Sequence, residues 1–242
     1  MSNHLTLILP YILLAAGAGL LGGVVALFWS PTVEIRSAIQ HFAAGAVLAA
    51  VASNVIPEVE NIGTFGGIMT GFVLGGLVMI GLKWFIVNFE EKEKKMGKLP
   101  VGLAVAAAVD TFLDGAIISV GFSTNNEQLG TLLAIALALE LLFLTLSVGV
   151  ELRKGKFKPW QSLAVTGAIA GLLLVGAFGA SLLFGDASEA TLAVVLSFGA
   201  AALIYLIAEE LLVENVQAEE SIFSTATLFS GFLVLLALKL LG

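Results

Sequence analysis

VGLAVAAAVDTFLDGAIISVGF, residues 101–122, decides how this chain is read. The stretch has the length of apolar chain that crosses a bilayer, about 20 residues, and it holds no Lys or Arg. It nevertheless carries Asp110 and Asp114 in its interior. A charged side chain at the centre of a bilayer costs on the order of 2.5–3.5 kcal/mol on insertion scales. Two acids on one such segment therefore ask for a physical reason.

The rest of the chain agrees with a lipid setting. Of 242 residues, 59% are hydrophobic and 12% charged, against roughly 25% charged in an average soluble domain. Mean hydropathy is +1.05. Too few polar side chains are available to cover a soluble globule of this size. The 27 glycines suit closely packed membrane helices, where small side chains let backbones approach. The absence of cysteine excludes disulfides, thiolate metal sites and thiol nucleophiles.

Windows of spanning length fall near 5–28, 37–57, 65–88, 100–122, 129–151, 161–184, 190–213 and 222–241. Short polar or Gly/Pro-bearing breaks separate them, so a single transmembrane domain over 1–242 is expected, an all-α bundle of eight spans. The first window follows Met1-Ser2-Asn3-His4 without a basic leader and runs longer than a signal segment, which predicts a retained span. Ten of the 11 basic residues sit in or beside the loops after spans 1, 3, 5 and 7; Lys239 alone does not. The opposite loops carry Glu58, Glu60, Glu127, Asp186 and Glu189 with no Lys or Arg. The positive-inside rule then predicts a multi-pass protein of the cell membrane with both termini outside.

HFAAGAVLAAVASNVIPE (41–58) aligns with SFGAAALIYLIAEELLVE (197–214), pairing Phe42 with Phe198, Ala52 with Ala208 and Glu58 with Glu214. Spans 2 and 7 run in opposite directions in this topology, the signature of an inverted repeat. Among the acids, Asp110, Asp114 and Glu140 lie mid-span near one depth. The two aspartates are four residues apart and share a helix face. No basic residue is expected at that depth, which leaves protonation, water or a bound cation to compensate them. The bland alternative is protonated carboxyls acting as helix glue. Thr111 is the one hydroxyl assigned to the same site, since hydroxyls in membrane helices more often bond a preceding carbonyl. Asn54 and Glu58 at the outer end of span 2, and Glu209, Glu210 and Glu214 at the inner end of span 7, are expected as acidic mouths that concentrate cations. His41 is expected to be a solvated interfacial residue, and His4 part of a terminus.

These residues together resemble a known family. VDTFLDGAIISVGF (109–122), Glu140 in ALELLFLTLSVGVEL (138–152), NVIPE (54–58) and AEELLVE (208–214) are similar to motifs of the ZIP family of zinc–iron permeases. The resemblance covers nearly the whole chain and implies eight spans in a 3+2+3 inverted-repeat bundle. Asp110 and Thr111 stand where the family has His and Asn, while Asp114 and Gly115 are retained. Leu139 replaces a His beside the retained Glu140, and Phe143 and Leu144 stand where a further His or Glu often occurs. Asn54 replaces the His of span 2, and span 6 lacks an acid that often completes a second metal. The resemblance therefore implies one oxygen-donor site, Asp110, Asp114, Glu140 and Thr111, for a divalent metal ion of the Zn, Fe or Mn class carried as substrate. The loss of imidazole shifts preference from zinc towards harder ions such as Mn²⁺, Mg²⁺ or Ca²⁺.

The expected function is divalent-cation transport, with membrane lipid and the cation as partners, a homodimer compatible with it, and no organic cofactor, nucleic acid or enzyme activity. Two rivals stand beside it. A ZIP-like fold that has lost transport and become a sensor or assembly protein is one. A membrane-embedded enzyme using paired aspartates is the other; it lacks an intramembrane Lys or Arg for a phosphate and a Ser/His pair at usable spacing.

Overall fold

Apolar runs of this length satisfy their backbone polar groups within one segment, and the chain answers with helices. In the computed structural model, residues 2–93, 101–124, 126–213 and 222–241 are described, and among them there is no strand. Lys94, Lys95 and Lys98 of the basic run lie outside the described residues. The helices are α1 (Ser2–Phe28), α2 (Val33–Ala50), α3 (Ile56–Ile62), α4 (Phe65–Glu93), α5 (Val101–Ser123), α6 (Glu127–Lys154), α7 (Pro159–Phe184), α8 (Glu189–Val213) and α9 (Ile222–Leu241). A π-helical turn, Val51–Val55, joins α2 to α3, so that Val33–Ile62 forms one crossing. Among the described residues, eight helices are long and apolar enough to cross a membrane. The expected windows recur within a few residues, and most helices extend past them into polar turns that cap them.

Those caps are local chemistry. Thr32 accepts from the Ile35 amide to start α2, and Asn126 accepts from the Leu129 amide at 3.1 Å to start α6. Pro159 opens α7 at a position that needs no amide proton. At the end of α6 the chain turns through Lys156, at φ 62°, and the Phe157 amide reaches back to the Leu152 carbonyl at 3.2 Å. Arg153 donates to the last carbonyls of α1, those of Ala26 and Leu27.

Contacts at the helix ends fix their alternation. Arg36 at the start of α2 pairs with Glu151 at the end of α6 at 2.7 Å. Asn126 before α6 meets Glu58 on α3 at 2.6 Å, and Gln128 of α6 donates to the Lys239 carbonyl near the end of α9. The ends bearing Arg36, Lys83, Arg153 and Lys154 thus share one end of the bundle.

α6 is the central element, packed against α1, α2, α5, α7 and α9. The most extensive pairings are α1 with α6, α5 with α7, α2 with α9 and α4 with α8. Two of these crossings bring backbones together through reciprocal glycines. A Cβ on Gly115 would strike the Leu173 carbonyl, and one on Gly176 the Phe112 carbonyl. Between α2 and α9, Gly45 faces the Leu228 carbonyl and Gly231 the Phe42 carbonyl. Apolar burial against lipid tails supplies little net driving force, so such close van der Waals contact holds the bundle. The outward faces of α1, α4, α7 and α9 remain apolar, with residues such as Leu21, Leu77, Leu182 and Leu233 exposed, the dress of a lipid-facing surface.

Candidate cation site

α5 buries one polar stripe. Thr111, Asp114 and Ser119 are fully buried and Asp110 is 8% exposed. Glu140, on the neighbouring α6, is 7% exposed. Asp110 precedes the end of α5, Ser123, by 13 residues, and Glu140 follows the start of α6, Glu127, by 13 residues. At about 1.5 Å per residue both lie roughly 20 Å from the short α5–α6 turn, at one depth. The antiparallel hairpin therefore delivers the expected carboxylates to a common level.

The hydroxyls of this stripe behave unlike others in the bundle. Ser53, Thr70, Thr145, Thr166, Ser197 and Ser230 each donate to the carbonyl four residues back. The Thr111 and Ser119 hydroxyls are buried without a hydrogen-bond partner among the described residues, as is Oδ1 of Asp110. A buried polar oxygen left without a partner costs about 1–3 kcal/mol, which a proton on the carboxyl, a water or a cation in the stripe would offset. From the sequence, Ser119, Thr145 and Ser147 could line the same interface as Thr111 without being assigned individually; of these three, Thr145 bonds a preceding carbonyl while Ser119 does not.

Among the described residues, no group of three or more His, Cys, Asp or Glu side chains is gathered closely enough to hold a metal ion. All three carboxylates are buried, with Asp110 and Glu140 at one depth and Asp114 one turn nearer the α5–α6 connection, and the three-carboxylate cage expected from the sequence is not assembled in this conformation.

The end of the bundle that bears Glu58 is tied rather than open. Glu58, 9% exposed, accepts from Asn126 Nδ2, so one asparagine both caps α6 and holds this acid. Asn54 lies in the π turn, buried, with its Nδ2 on Ser53 Oγ at 3.0 Å. At the other end, Glu209 meets Lys83 Nζ at 2.7 Å and Tyr205 Oη at 2.8 Å. Sequence reading placed Lys83 beside a loop; its flexible stem instead carries the ammonium across to α8. The charge of Glu209 is thereby met, and its role is a tie between α4 and α8. Both groups are 30–43% exposed, which holds such a pair to about 1 kcal/mol or less. A double-mutant cycle on Lys83→Met and Glu209→Gln, read by thermal unfolding in detergent, is expected to return a coupling below that bound. The side chain of Glu210 and all of Glu214 lie outside the described residues, as does the side chain of His4. His41 is buried, with Nδ1 2.7 Å from the Ser37 carbonyl. The solvated histidine expected there is corrected: α9 packs over this face of α2, and Ser224 meets Ser37.

Fold and site define a multi-pass, eight-helix membrane protein with a buried acidic and hydroxylic stripe at its centre. No family model matches the chain, and no curated protein matches its sequence.

Proposed function

We propose that the chain is a ZIP-like transporter for a divalent cation, which binds mid-membrane to oxygens of Asp110, Thr111, Asp114 and Glu140. The observation that carries this reading is the set of buried oxygens on α5 without a hydrogen-bond partner among the described residues, those of Asp110, Thr111 and Ser119, with the buried carboxyl of Glu140 at the depth of Asp110 on the neighbouring α6. Oxygen donors without imidazole suit hard divalent ions, Mn²⁺, Mg²⁺ and Ca²⁺. The basic end faces the cytoplasm in this reading, so both termini lie outside.

The inverted repeat proposed for transport draws support from recurring contacts. Gly75 packs on the Phe198 carbonyl and on Ala201; Gly231 packs on the Phe42 carbonyl, and Gly45 lies on the same face of α9. Residues 75 and 231, 42 and 198, and 45 and 201 are each 156 apart, the register of the aligned segments 41–58 and 197–214. In the other half, Gly22 on the Leu142 carbonyl mirrors Gly176 on the Phe112 carbonyl, while Thr145 donating to the Gly19 carbonyl mirrors Gly115 against the Leu173 carbonyl. The same correspondence pairs Phe112 with Leu142 and therefore Asp110 with Glu140, each 30 residues apart. Related halves of opposite orientation, meeting at a midplane site, are the plan on which alternating access works. In this mechanism the cation draws the three carboxyls together on binding, and protonation of the same oxygens releases it.

A second reading, a ZIP-fold scaffold without transport, is favoured by the absence of a gathered three-acid group among the described residues. Thermal unfolding in detergent separates the two. A binding site filled at 100 times its dissociation constant stabilises the fold by about 2.7 kcal/mol. The transporter reading expects a saturable rise in unfolding temperature with Mn²⁺ and Mn²⁺ accumulation in proteoliposomes. An unfolding temperature indifferent to Mn²⁺, Zn²⁺, Fe²⁺ and Ca²⁺, with no accumulation, leaves the scaffold.

A further inference from the structure

Lys239 is the one basic residue that the loop pattern does not absorb, and the bundle gives it a specific place. Its ammonium, carried on the last turn of α9, donates to the backbone carbonyl of Ser53. That carbonyl is available for a reason written in the sequence. Proline has no amide proton, so Pro57 cannot serve the carbonyl four residues before it, which is that of Ser53. The π turn Val51–Val55 immediately precedes the proline, with the Ile56 amide reaching five residues back to Val51. Such turns break the regular ladder and cluster at functional sites. A side-chain cation thus supplies, at the Ser53 carbonyl, a donor that Pro57 cannot.

The location matters as much as the contact. The π turn packs against both α6 and α8, and Asn54 and Glu58 of the outer mouth lie on the same crossing. Ser53 is five residues below Glu58, roughly 7 Å further into the membrane. Across the repeat register, Lys239 corresponds to Lys83 and Ser53 to Glu209, both 156 residues apart. The lysine at one end meets a carboxylate at 2.7 Å. Its counterpart meets only a neutral carbonyl, and among the described residues no carboxylate lies within ion-pair distance of Lys239. A carbonyl dipole holds an ammonium less firmly than a full negative charge does, so Lys239 is the more readily displaced of the two.

Building on the transport reading, we propose that the Ser53 carbonyl is a cation-binding point on the outer half of the route, and that Lys239 is a tethered cation which an incoming divalent ion must displace. Carbonyls of interrupted membrane helices bind ions in this way. The tethered ammonium keeps the point satisfied between ions and sets the concentration of metal needed to open it.

The test reads Lys239 directly, without requiring transport. The purified full chain in detergent is treated with an amine-acetylating reagent at one fixed alkaline pH, over increasing Mn²⁺, with every lysine followed by mass spectrometry. Acetylation of Lys239 is expected to rise about threefold with Mn²⁺, equivalent to about 0.6 kcal/mol of lost protection, while Lys83, held by Glu209, stays constant. Pro57→Ala restores an amide proton for the Ser53 carbonyl, so Lys239 should there react fully without metal. In proteoliposomes, Lys239→Met should lower the Mn²⁺ concentration at half-maximal uptake. Lys239 acetylation that ignores Mn²⁺ in wild-type protein, or that changes in parallel with Lys83, overturns the proposal even where uptake is intact. Mn²⁺-dependent acetylation in a protein that accumulates no Mn²⁺ retains the binding point and removes the transport reading.

Discussion

Asp114→Asn is expected to reduce Mn²⁺ uptake into proteoliposomes by at least about a hundredfold, while leaving the protein as stable as the wild type or more so. The two halves of this result have one cause. Asp114 is fully buried on α5, beside the donor-deficient oxygens of Asp110 and Thr111. A buried carboxylate carries a desolvation cost that a neutral amide of the same shape does not. For a divalent ion, the same change removes a charged ligand, and a loss of about 2.7 kcal/mol in binding accounts for a hundredfold. Glu140→Gln is expected to behave in the same way. Uptake that survives in both variants removes these acids from the route; a large loss of thermal stability in both identifies them as structural.

The second large effect lies away from the acids. Gly176→Val should destabilise the bundle by roughly 3 kcal/mol or more, because its side chain would occupy the space of the Phe112 carbonyl at the α5–α7 crossing. Backbone cannot step aside as a flexible side chain does, so the helices must separate along the crossing. Gly171→Val, five residues earlier on the same helix, is the matched control. Nothing lies within 4 Å of a Cβ at Gly171, and valine is a better helix former than glycine. Thermal unfolding of the two variants should differ by about 6–12 °C in detergent if a 3 kcal/mol loss acts on a domain of this size. Equal unfolding temperatures would mean that the crossing is looser than its glycines imply.

Much of the architecture was legible because a membrane crossing is a property of a single run of sequence. Apolar length needs no knowledge of neighbours, and the windows near 65–88 and 222–241 correspond to α4 and α9. The carboxylates were legible for a related reason: an acid in an apolar run is conspicuous wherever its helix packs. Pairings between helices were not. That Lys83 reaches Glu209, or that Asn126 serves both Glu58 and the start of α6, depends on which helices are adjacent and in what register. His41 reads as interfacial until α9 is laid over it. Convergence of the acids is the hardest matter, because spacing on one helix says nothing about side-chain direction on the next. The π turn occupies a middle ground. Pro57 announces a vacant carbonyl at Ser53, and only the fold reveals that Lys239 fills it.

The brevity of two connectors limits any sliding between the halves of the bundle. α1 and α7 pack with α5 and α6, and each is followed by a helix of the other group, through residues 29–32 and 185–188. These two leashes lie at opposite ends of the bundle. A fully extended chain covers about 3.3–3.6 Å per residue, so neither leash pays out more than roughly 18 Å between the helix ends it joins. A piston held on short cords at both ends has a short stroke, so any sliding of one group of helices on the other is smaller than the thickness of the hydrocarbon itself.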